Sequence, residues 1–128
     1  MAWSADDRAA AALAEDLFAP LGRIEIRRMF GGAGLYADGV FFGIVDRGEI
    51  FLKADPESEP LFAAAGSHRF EYSRHDRDEP MRLAFWTLPE EALDDAEAAL
   101  DWARRALAAA LRARAPKPRK RAPRRTQG

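Results

Sequence analysis

Apolar residues recur near the start of the chain at three- and four-residue steps: Ala10, Leu13, Ala14, Leu17, Phe18 and Leu21. That spacing places them on one face of a helix. Ser4 predicts where the helix begins, because its hydroxyl can accept from the free amide three residues on, and Asp6 and Asp7 favour the positive helix end. Pro20 and Gly22 predict where it closes. The pattern then shortens. In Ile24-Glu25-Ile26-Arg27 apolar and charged residues alternate, as in a half-buried strand. Gly31-Gly32 interrupts the alternation with a reversal or bulge, and Ala33 to Ala37 resumes it. Asp38-Gly39, set between apolar runs, predicts a type I′ hairpin turn, whose central residues both need positive φ. Val40 to Val45 is apolar almost throughout and predicts a central strand covered on both faces. Arg47-Gly48 predicts another tight turn. Glu49 to Lys53 returns as a fourth strand, with Ile50 and Leu52 on one face and Phe51 and Lys53 on the other. Ile24 to Lys53 is thus read as an antiparallel meander.

Beyond the meander, Asp55-Pro56 reads as an N-cap followed by proline at the first helical position. A short helix follows through Leu61, Phe62 and Ala65, ending at Gly66. Phe70 to Tyr72 and Arg82 to Thr87 read as two more strands, joined by the charged loop Ser73 to Pro80. Pro89 opens a helical segment with a break near Asp94-Asp95; Ala96, Ala99, Leu100, Ala103, Leu107, Ala110 and Leu111 form its apolar stripe. The prolines at 116, 118 and 123 forbid further helix. The expected class is α+β: a two-layer sandwich, with an antiparallel sheet and helices packed on one face, in the order α-β-β-β-β-α-β-β-α. Residues 1–112 form the domain and residues 113–128 a disordered, basic, proline-rich tail.

Charge sharpens that division. The formal net charge of −1 conceals eight Lys or Arg and no acidic residue in positions 112–128, against 12 Lys or Arg and 21 Asp or Glu before them. An acidic body carrying a basic tail points to an interaction tail. The chain has no cysteine, which excludes disulfides, thiolate metal sites and cysteine nucleophiles. Neither a signal peptide nor a membrane span is legible, so a cytoplasmic protein is expected.

Three segments carry a family resemblance. Arg27-Arg28-Met29-Phe30-Gly31-Gly32-Ala33-Gly34-Leu35-Tyr36, Asp38-Gly39-Val40-Phe41-Phe42-Gly43 and Phe85-Trp86-Thr87-Leu88-Pro89 resemble the signature of the TfoX/Sxy N-terminal domain, and Asp101-Trp102-Ala103 fits with them. The matching signature residues are Arg28, Met29, Phe30, Gly31, Gly32, Gly34, Tyr36, Gly39, Phe42, Gly43, Trp86 and Pro89. The resemblance covers roughly residues 8 to 112 and implies the α+β order read above. It also implies regulation of the natural-competence type, in which such a protein promotes transcription of DNA-uptake genes alongside the cyclic-AMP receptor protein. Full-length regulators of this family resemble two domains; this sequence reads as a stand-alone first domain followed by a short basic tail. The family supplies no catalytic residue.

The remaining chemistry has mostly structural readings. Gly31-Gly32-Ala33-Gly34 offers backbone amides to an anion but lacks the spacing of a dinucleotide fingerprint, and no Gly-Lys-Ser/Thr follows, so it reads as turn or bulge. His68 and His75, even with Asp76, Asp78 and Glu79, do not supply the convergent ligands a metal needs and read as a solvated loop. No serine sits in a nucleophile motif. The expectation is therefore a protein that is not an enzyme and carries no metal or cofactor. Arg27 and Arg28 lie on opposite strand faces, and Glu25 and Glu49 are candidate partners for a salt bridge pinning the meander. If helices cover one sheet face only, some of Tyr36, Phe41, Phe51 and Phe85 remain on the other, and an exposed apolar patch there would mark a site for a protein partner or a second copy, a homodimer. In the tail, Lys117, Arg119, Lys120, Arg121, Arg124 and Arg125 suit weak, non-specific nucleic-acid contact. A solubilising terminus and contact with an anionic membrane stay open beside it. The composite expectation is a regulatory or interaction domain acting through protein contacts. The alternative is a small-ligand-binding or enzymatic domain with a pocket around Arg28, Tyr36 and His68.

Overall fold

A computed structural model describes residues 4–29, 32–70 and 84–114. Helix α1 spans Ala5–Phe18. The Ser4 hydroxyl accepts from the Asp7 amide at 3.0 Å, as its position predicts. A short 3₁₀ turn, Ala19–Leu21, carries Pro20 and leads through Gly22, at φ 147°, into the sheet. Strands β1 (Ile24–Met29), β2 (Gly32–Ala37), β3 (Val40–Asp46) and β4 (Glu49–Ala54) form the meander. Both predicted tight turns are present. Asp38 and Gly39 have φ of 49° and 84°, and Arg47 and Gly48 have 51° and 80°, the left-handed pairs that type I′ turns demand. Asp38 also reaches back: its carboxylate accepts from the Arg23 amide at 2.9 Å and fixes the approach to β1.

Helix α2 (Glu59–Ala64) and strand β5 (Ala84–Thr87) follow, then a 3₁₀ turn, Glu90–Leu93, and helix α3 (Ala96–Arg114). The sheet is antiparallel with order β1-β2-β3-β4-β5, and the helices pack on one face, which is the expected α+β sandwich. The predicted break near Asp94-Asp95 marks the start of α3, where the Asp95 carboxylate accepts from the Glu97 and Ala98 amides. Of the predicted strand at Phe70 to Tyr72, Phe70 alone lies within the described residues, at the end of a segment that pairs with β5. Phe70 donates to the Phe85 carbonyl, Thr87 donates to the His68 carbonyl, and Arg69 bridges Trp86. Glu71 and Tyr72 lie outside the described residues, as do Ser73 to Pro80, Arg82 and Leu83.

The core explains several departures from the pattern. Phe18, Phe42, Leu35, Leu52, Val45 and Phe62 are fully buried, and much of the rest is alanine: Ala14, Ala33, Ala37, Ala54, Ala99, Ala103 and Ala106. Small residues let α1 and α3 approach the sheet closely, so the buried face of α3 centres on Ala99, Trp102, Ala103, Ala106 and Ala110. Leu111, expected in that stripe, is exposed, and so is Leu13 on α1. Asp55 does not begin a regular helix. Its carboxylate accepts from the Ser58 amide while the Ser58 hydroxyl accepts from the Asp55 amide, and α2 starts one turn later at Glu59. β3 is central, as expected, but helices cover only one of its faces. Tyr36 pairs with Phe41 and Leu35 with Gly43, so Phe42 is an extra residue, a β-bulge. The bulge sends Phe42 into the core while Phe41 stays on the other side, which makes the run look apolar throughout.

Candidate interaction surface

The alternation of the strands gives the sheet a second face that is helix-free among the described residues. β1 contributes Glu25, Arg27 and Met29, β2 contributes Gly34 and Tyr36, β3 contributes Phe41 and Ile44, β4 contributes Phe51 and Lys53, and β5 contributes Phe85. The rings touch one another across the strands. Tyr36 stacks on Phe41 with centroids 5.1 Å apart, Phe41 meets Phe85 at 5.7 Å, and Phe51 meets Phe70 edge-on at 5.0 Å. Such aromatic pairs add about 0.5–1.5 kcal/mol beyond their area. Phe51 and Phe85 are buried; Tyr36, Phe41 and Ile44 are half-buried.

Two cations complete the surface. The Arg27 guanidinium lies 4.2 Å from the centre of the Tyr36 ring and pairs with Glu25 at 3.1 Å. The second cation is Lys53, only 6% exposed, with its ammonium 5.5 Å from the Phe41 ring centre. Burial lowers its pKa from the ordinary 10.5, and the nearby Arg114 charge lowers it further. The face therefore sets aromatic rings beside positive charge, with Arg27 exposed, Tyr36 and Phe41 half-buried, and Phe51, Phe85 and Lys53 buried.

The signature residues divide by role. Gly39 makes a turn. Phe42 fills the core, and Pro89 is fully buried as well. The Trp86 indole donates to Glu59 at 3.0 Å and its ring stacks on Phe62. Gly43 lets two strands approach: a Cβ there would sit 2.7 Å from the Phe51 carbonyl oxygen. A Cβ on Gly32 would run into the Val45 carbonyl. Gly34 lies beneath the aromatic face, where a Cβ would meet the Met29 methyl at 2.6 Å and the Tyr36 and Phe41 rings at 3.1 Å. Thus Met29, Gly34 and Tyr36 come together on the helix-free face, while Arg28 is exposed at the end of β1. Phe30 and Gly31 lie outside the described residues.

Other expectations resolve differently. The salt bridge of Arg27 goes to Glu25 and not to Glu49; both partners sit on β1 and are exposed, so the bridge does not pin the meander. Arg28, Tyr36 and His68 do not converge: Arg28 is on one edge strand, and His68 pairs with β5 at the opposite edge. Among the described residues no three His, Cys, Asp or Glu side chains are grouped to hold a metal ion; His75, Asp76, Asp78 and Glu79 lie outside them. The tail cations Lys117, Arg119, Lys120, Arg121, Arg124 and Arg125 also lie outside the described residues. Arg112, the first cation of the basic run and the last residue of the expected domain, lies in α3. It forms a two-pronged pair with Asp55 at 2.8 and 3.0 Å, which holds the Asp55 carboxyl below its ordinary pKa.

Sequence periodicity did not reveal two features. Asp7 is buried and accepts from the Gly48 amide at 2.8 Å, tying the start of α1 to the β3–β4 turn. Beside it an open groove of about 400 Å³ runs between α1 and the 3₁₀ turn, with Leu13 and Leu93 on its walls at 38% and 42% exposure. No short-range signal marks either, because each joins segments about 40 residues or more apart.

An antiparallel five-stranded sheet with helices on one face and aromatic rings and cations on the other defines a class, a small α+β sandwich domain. The model of the TfoX N-terminal domain matches residues 16–110, and the chain belongs to that family. No curated protein matches it. No helix among the described residues is long and apolar enough to cross a membrane.

Proposed function

We propose that this chain is a regulatory or interaction domain of the TfoX/Sxy type, a non-enzymatic cytoplasmic protein that influences transcription through protein contacts. The family match over residues 16–110 carries the reading. The second sheet face supports it, since the half-buried Tyr36 and Phe41 rings stack there beside the exposed Arg27. The competence role is the form of regulation the family suggests. The basic tail adds weak, non-specific nucleic-acid contact through charge alone.

Two experiments test this. Deleting the gene should change the transcript profile, and restoring it should reverse the change; an unchanged profile would remove the regulatory role. The full chain should retard DNA in a gel at low salt, and deletion of residues 113–128 should abolish retardation. Equal retardation by the truncated protein would move nucleic-acid contact from the tail to the sheet domain.

A further inference from the structure

The two edges of the sheet differ. Along β5, residues 68–70 supply main-chain partners, with Phe70 donating to Phe85 and Thr87 donating to His68. Among the described residues, β1 has a sheet neighbour on one side only, β2. The ladder tells which β1 groups face outward. Asp38 donates to the Arg23 carbonyl, so Arg23 turns its main-chain groups toward β2; by alternation Glu25 and Arg27 do the same. Ile24 and Ile26 therefore turn amide and carbonyl away from the sheet. β1 has six residues with no proline and no bulge, two of the devices that commonly block an open edge.

The side chains of this edge are complementary to themselves. Glu25 and Arg27 flank Ile26 on the same, helix-free face, and both are substantially exposed. We propose that β1 pairs antiparallel with β1 of a second copy about a two-fold axis through Ile26. In that register Ile26 lies opposite its own counterpart and exchanges both outward main-chain bonds. Glu25 then falls opposite Arg27 of the other chain, twice, at non-hydrogen-bonded positions where cross-strand side chains approach most closely. A shift of one residue would turn the two helix layers to opposite faces. The two-fold register keeps them on the same side and joins two five-stranded sheets into one. The charge pairs that set this register contribute little within one chain, being solvated. Between chains they form an alternating group of four charges. The aromatic faces of both copies then lie side by side, so the inference stands independently of what those faces bind.

Charge reversal tests it, by sedimentation velocity of the full chain over a concentration series. The wild type should dimerise. Glu25→Arg and Arg27→Glu should each weaken the dimer roughly tenfold or more, since each places two like-charge pairs across the axis. The double variant Glu25→Arg/Arg27→Glu restores opposite charges and should recover the dimer. Ile26→Pro removes the outward amide and should dissociate it, with circular dichroism checking that the fold persists. A wild type monomeric into the millimolar range would overturn the proposal. So would a dimer indifferent to the single reversals, or a double variant no better than either single one.

Discussion

One sheet presents two faces made from alternate residues of the same strands, and they are built differently. The covered face is close-packed: Ala33, Ala37, Ala54, Ala99, Ala103 and Ala106 share one buried cluster with Phe18, Phe42 and Phe62. The other face carries the rings of Tyr36, Phe41, Phe51 and Phe85, with Arg27 and Lys53 among them. Hydrophobic mass alone does not separate core from contact surface. Rings meet rings on both sides, Phe18 with Phe42 and Phe62 with Trp102 in the core, Tyr36 with Phe41 on the other face. The difference lies in exposure, since Phe18, Phe42 and Phe62 are fully buried while Tyr36 and Phe41 are half-buried.

The largest expected effect sets one face against the other. Phe42→Ala should cost about 3–5 kcal/mol in urea denaturation, because it empties a fully buried site. Tyr36→Ala, which removes one half-buried stacking partner, should cost about 1 kcal/mol. Equal costs would mean that the helix-free face is a second core. Next come the glycines. Gly43→Ala should cost about 1–3 kcal/mol, because its Cβ meets a backbone carbonyl that cannot swing away. Gly34→Ala meets the end of Met29, which can, and should cost under about 1 kcal/mol.

Lys53 sharpens the contrast in the other direction. Its pKa is lowered in the fold, so the unfolded chain holds the proton more tightly. The resulting penalty is fully present below the folded-state pKa and fades as pH rises through the ordinary 10.5. Lys53→Met should therefore stabilise by about 1 kcal/mol at neutral pH, and that gain should shrink toward strongly alkaline pH in thermal melts. The smallest effect lies away from both faces. Asp55→Asn should cost about 0.5–1 kcal/mol at neutral pH, reduced by salt. Because Arg112 holds the Asp55 pKa below its ordinary 3.8, that stabilisation is present above 3.8 and lost as pH falls through the folded value.

Local chemistry made much of the fold legible. Asp38-Gly39 and Arg47-Gly48 announced their turns because positive φ leaves few residue choices, and Ser4 announced the start of α1 for the same kind of reason. The alternation of β4 placed Phe51 and Lys53 together on one face. The bulge at Phe42 was hidden, because an extra residue in an apolar run looks like a strand buried on both sides. The rotated stripe of α3 was hidden too: hydrophobicity favours Leu111 over alanine, while close helix–sheet approach favours the reverse. Contacts between distant segments, such as Asp7 with Gly48 and Asp55 with Arg112, have no signature in a single sequence. Of the surface, the residues were visible and their mutual stacking was not.

The most direct test of the division between the faces is the transcript profile of a deletion strain restored with Tyr36→Ala protein at wild-type abundance. Loss of the contact face without loss of the fold predicts a profile matching the deletion, from a protein whose melting temperature falls by only a few degrees. A profile matching the wild type would contradict the assignment of that face as the working surface.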